Sequence, residues 1–109
     1  MQKLSEATLA AIGRMTVAAT DLEYALAELV ADSPAAMATL FAQPGAALSA
    51  ARNAESADAD LRNWIEGAAT QLLQSHAALR AIWRGGRTDP ALFDEIATRL
   101  LRCRETVPA

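Results

Sequence analysis

Small or apolar side chains recur from Leu4 through Thr8, Ile12, Met15, Ala19, Leu22, Leu26 and Leu29. That spacing of three and four gathers them on one stripe of a helix. Lys3, Arg14, Asp21 and Glu28 fall on the far side, so the pattern predicts a long helix over about 5–32. Ser33-Pro34 is a stop and restart, because serine caps a following helix and proline suits its first turn. "SPAAMATLFA" then predicts a short second helix, and Pro44 opens another short piece to about Arg52. In "ESADAD", Ser56 is the N-cap candidate and the acids favour the positive end of the next helix. Leu61, Ile65, Ala68, Leu72, Leu79 and Trp83 form a second long stripe, ended by Gly85-Gly86. The last helix starts at "TDPALFDE", with Thr88 or Asp89 as cap and Pro90 in the first turn. Its buried stripe is Leu92, Ile96, Leu100 and Cys103, supported by a Glu95–Arg99 pair one turn apart.

The fold class is therefore all-α. We expect an antiparallel four-helix bundle of two long helices, a broken short second helix and a C-terminal helix. The 109 residues show no linker-like shift in composition, so 1–109 forms a single helical-bundle domain. Apolar residues make up 52% of the chain, about half of them alanine, and aromatics only 5%, which tilts local preference further toward helix. Nine arginines against one lysine suggest a bacterial, GC-rich origin.

A net charge of −3 argues against a general electrostatic hold on DNA or an anionic membrane. The average conceals a gradient: residues 80–109 carry six arginines against four acids, whereas Glu55, Asp58, Asp60 and Glu66 crowd the preceding region. A single cysteine, Cys103, fits a reducing compartment, and its place on an apolar stripe reads as a small buried hydrophobe. No apolar run suits a signal peptide or a membrane span. The expectation is a cytoplasmic protein without membrane attachment.

One histidine and one cysteine provide no Cys/His ligand set, and the carboxylates lack the pattern of a di-iron bundle, so no metal is expected. No phosphate-cradling glycine loop follows a strand, so no cofactor is expected either. Ser75 points about 100° away from His76 on a helix and is not its catalytic partner by pattern. What remains is a nitrogen-rich helix edge, with Arg62, His76, Arg80, Arg84 and Arg87 as its members. Such an edge can hold a phosphate. Its other reading is a solvated boundary, with arginine stems laid over the core and His76 bonded to a neighbouring helix.

On the first helix, Leu9, Gly13, Val17, Tyr24, Ala27 and Ala31 form a second face opposite the core stripe. It is small, weakly apolar and poor in charge. This suits close approach by a helix of another chain, with Leu9, Gly13, Val17 and Tyr24 as the dimer face. Alanine-rich drift on a solvent face would give the same pattern.

Three stretches together resemble the small bacterial helical proteins of the HEPN class: "IGRMTVAATDLEYALAELV", the Trp83 and Gly86-Arg87 that close the third helix of the bundle, and "TDPALFDEIATRLL". Many members of that class are RNases or partners of nucleotidyltransferases, and their third long helix ends in a pattern like Arg-Asn-x-x-x-His-x-x-Trp. The resemblance implies a homodimer in which that arginine and histidine meet across a cleft to cleave RNA without metal. Setting Trp83 on the class tryptophan places Ser75 at the arginine, His76 at the asparagine and Arg80 at the histidine. Only the tryptophan is kept. The resemblance also implies that an acid on the first helix, here Glu23, reaches across to Arg62, Arg80 or His76. We therefore expect a non-catalytic, homodimeric interaction module that binds a protein partner, or RNA or a nucleotide, through the basic edge. The alternatives are a metal-independent RNase, with His76 as general acid or base and Arg80 stabilising the phosphate, and a structural assembly subunit.

Overall fold

A computed structural model describes residues 3–55 and 57–108. Among them every regular element is helical: α1 (Glu6–Val30), α2 (Pro34–Ala42), α3 (Ala46–Arg52), α4 (Ala59–Ala81) with a 3-10 turn at Ile82–Arg84, and α5 (Pro90–Glu105). The 25 residues of α1 and 23 of α4 make them the two long helices.

Short polar side chains set most of the starts. Ser5 accepts from the Thr8 amide to begin α1, and Ser33 accepts from the Ala36 amide ahead of Pro34 to begin α2. The expected start of α3 at Pro44 moves to Ala46, because Pro44 lies in the turn and Gly45, at φ 83°, turns the chain as its N-cap. Asp58 caps α4 by accepting from the Leu61 amide at 2.8 Å; Ser56, the candidate from sequence, lies outside the described residues. Asp89 occupies the N-cap position of α5, but its carboxylate binds Arg87 and not the helix amides.

The end of α4 is closed by hydrogen bonds from the Gly85 amide to the Ile82 carbonyl (3.1 Å) and from the Gly86 amide to the Ala81 carbonyl (2.8 Å). Gly85 takes the left-handed conformation that this ending requires, at φ 79°. A Cβ on Gly86 would lie 2.8 Å from the Ala81 carbonyl oxygen, so this position has no room for a side chain.

Packing centres on α1, which lies against α5 along much of its length and against α3 and α4 elsewhere, while α4 also packs on α5. Met15, Leu22, Leu26, Ile65, Leu72, Ile96, Leu100 and Phe93 form the large-residue core, with Ala11, Ala18, Ala25 and Ala68 between them. Small residues at those positions let helix axes approach closely.

Several positions depart from the faces read off the sequence. Trp83 is 62% exposed, and Ile82 fills the core in its place. The buried side of α4 is turned toward Trp64, Ser75 and Ile82, because α5 lies there and accepts a hydrogen bond from Trp64 Nε1 at the Cys103 carbonyl (2.9 Å). On α5, Phe93 is wholly buried while Leu92 and Cys103 are half-buried. Ala27, read as part of the spare face of α1, is fully buried because the chain folds back over the C-terminal part of α1 through α2 and α3.

Candidate functional site

The five residues of the basic edge do not form one surface. Arg62 and Arg80 are about 27 Å apart along α4 at 1.5 Å per residue. The Arg62 guanidinium donates to the Ala57 and Ala54 carbonyls, each at 3.2 Å, and so fastens the loop that leads into α4. Arg87 donates twice to Asp89, at 2.9 and 2.8 Å, which holds that carboxyl below the ordinary carboxylate range and raises the guanidinium. Arg80 and Arg84 are exposed, and no ion pair among the described residues involves them. Of the five, Arg80 and Arg84 at the C-terminal end of α4 are thus the two arginines not engaged by such contacts.

Ser75 is 2% exposed, with its Oγ donating to the Leu72 carbonyl at 2.7 Å. A side chain at this position enters the core. It supplies neither a nucleophile beside His76 nor a cationic group on the surface.

His76 instead lines a cleft formed by three helices. Glu23 enters it from α1; Gly45, Leu48 and Arg52 come from the α3 segment; Ala69, Leu72, Leu73 and His76 come from α4. The cleft encloses about 280 Å³. Burial pushes the Glu23 carboxyl above its ordinary range, and the charge of His76 partly opposes that shift. Of the three partners suggested for Glu23, the fold brings it His76. Arg52 faces the same space but donates from Nε and Nη2 to the two carboxylate oxygens of Glu66, at 3.0 and 2.9 Å. Its guanidinium is raised and the Glu66 carboxyl lowered by that pairing. The cleft therefore joins an apolar wall to a half-buried acid and an imidazole. Sequence reasoning missed Leu48 and Arg52, because a seven-residue helix is too short to display a stripe.

The third feature is the face of α1 turned away from the core. Leu9, Gly13, Val17 and Tyr24 are exposed there, Val17 most of all at 71%. Phe41 of α2 and Leu101 of α5, absent from the sequence-based face, extend it on either side. Tyr24 and Phe41 meet edge to face with ring centroids 5.3 Å apart. Two shallow grooves flank Val17, one bounded by Thr16, Thr20, Tyr24 and Phe41, the other by Gly13, Arg14, Ala18 and Leu101. A polar seam with α5 runs beside them. Arg14 donates to Asp94 at 2.7 and 3.0 Å, and Arg104 lies 3.6 Å from Asp21 and 3.3 Å from Glu28.

Among the described residues, no group of three His, Cys, Asp or Glu side chains converges as a metal site, and no helix is long and apolar enough to cross a membrane. Burial raises the Cys103 thiol and so disfavours its thiolate. Comparison with protein-family models, curated proteins and solved structures finds no match to this chain.

Proposed function

We propose that this chain is a helical interaction module that acts as a homodimer through the outer face of α1, on an antiparallel four-helix framework in which α2 and α3 share the place of the second helix. The observation that carries the reading is the exposure of Leu9, Val17, Tyr24, Phe41 and Leu101 around Gly13, with two grooves that share Val17 and Asp21. Covering these side chains removes apolar surface from water, and the glycine lets a second backbone come close. The charges of the seam are paired within the chain, Arg14 with Asp94 and Asp21 with Arg104, so an antiparallel copy of α1 about a two-fold axis near Val17 meets no uncompensated charge there. The same arrangement sets Leu9 against the partner's Tyr24. The kinship in this reading is to a HEPN-like protein whose catalytic positions hold Ser75 and Arg80. His76, Arg80 and Arg84 at the end of α4 are then the contact for a further protein or RNA partner.

Light scattering coupled to gel filtration tests the dimer. Wild type is expected at about twice 11.5 kDa at tens of micromolar, and Val17→Arg at the single-chain mass with unchanged helical circular dichroism. A wild-type monomer overturns the reading. The non-catalytic part predicts that labelled RNA stays intact in the presence of EDTA; cleavage lost in both His76→Ala and Arg80→Ala would establish the nuclease instead.

A further inference from the structure

Glu23 leaves α1 at the margin of the core, so its carboxyl stands in a cleft whose walls are largely Leu48, Ala69, Leu72 and Leu73. Among the described residues no hydrogen-bond donor engages it; burial and the charge of His76 are the influences on its ionisation. Arg52 and Glu66 neutralise each other through two short hydrogen bonds. With the imidazole neutral, the cleft is left with one uncompensated negative charge. An anionic guest would meet that carboxylate after losing part of its own hydration. A guest with a charged N–H donor would satisfy it, and charge-assisted hydrogen bonds in poorly hydrated sites are the strong ones. The volume of about 280 Å³ lies at the small end of ligand pockets and suits one ring or a short hydrocarbon chain.

We propose that the cleft between α1, α3 and α4 binds small organic ammonium ions, with the ammonium on Glu23 and the hydrocarbon part against Leu48, Ala69, Leu72 and Leu73. An ammonium is held only by the ionised carboxylate, so binding weakens as pH falls into the raised range in which Glu23 takes up its proton. Arg52 faces the same space but is held by Glu66. The site is separate from the outer face of α1, and its occupancy does not depend on dimerisation.

The test is an NMR titration of the full chain with benzylammonium, benzyl alcohol and benzoate, following the His76 ring and the methyl groups of Leu48, Leu72 and Leu73. Benzylammonium is expected to shift these resonances saturably, more tightly at mildly alkaline than at mildly acidic pH. Glu23→Gln, which keeps the shape and removes the charge, is expected to weaken it about tenfold while leaving benzyl alcohol unchanged. His76→Lys, which sets a positive charge beside Glu23 at an exposed position and leaves the apolar wall intact, is likewise expected to weaken benzylammonium, read on the leucine methyl groups, and serves if the Glu23 variant fails to fold. Benzoate binding as tightly as benzylammonium, unchanged ammonium affinity in the folded charge variants, or no saturable shift at millimolar concentrations would each overturn the proposal.

Discussion

Ser75 and Glu23 show how the direction of one side chain decides its chemistry. At position 75 the chain points into the core, where only a small group that bonds its own helix carbonyl fits. Ser75→Arg is expected to lower unfolding free energy by about 3 kcal/mol or more through an unpaired buried charge. Urea unfolding would measure it; a loss below 1 kcal/mol would show that the position can open to solvent. Glu23 has a folded-state pKa raised by burial, so the folded protein holds its proton to higher pH than the unfolded chain. Its contribution to stability therefore falls as pH rises through the window just above the ordinary glutamate range. Glu23→Gln should flatten that part of the urea-midpoint profile. Asp94, Asp89 and Glu66, lowered by their arginine partners, act with the opposite sign and lose stability as pH falls below the ordinary carboxylate range. Their exposure keeps the effect small.

At the scale of elements, the end of α4 rests on backbone geometry more than on side-chain packing. Gly85 holds φ 79° and the adjacent Gly86 packs against the Ala81 carbonyl. Gly85→Ala is expected to cost about 1–2 kcal/mol from the left-handed backbone alone. Gly86→Ala forces the chain to shift, with Cβ only 2.9 Å from the Ala81 Cβ. Thermal unfolding of both variants checks this, and an unchanged midpoint in Gly85→Ala would mean that the helix ends elsewhere in solution. The glycine pair was legible as a stop because such endings depend on a few adjacent residues. The rotation of α4 was not: Leu79 and Trp83 fit a stripe as well as Trp64, Ser75 and Ile82 do, and the position of α5 selects between them.

Across the whole molecule, the core and the outer strip should respond differently to truncation. Phe93 is fully buried at the α5 end of the core, so Phe93→Ala should cost about 3–5 kcal/mol in urea unfolding. Leu101→Ala lies on the strip and should leave single-chain stability nearly unchanged while weakening self-association. Comparable losses for the two would show that the strip is part of the folded core. The sequence by itself determined the helical class, the long first and fourth helices, the Ser33 start and the glycine stop, because periodicity and capping act within a few residues. It also marked Leu9, Gly13, Val17 and Tyr24 as a face separate from the core. Only the tertiary structure decided that Ala27 is covered, that Phe41 and Leu101 extend this face, that Arg62 and Arg87 are engaged locally, and that Glu23, Arg52 and His76 share a cleft. These outcomes depend on how one helix is rotated and set against another, and contacts between distant segments leave no local period for a sequence to display.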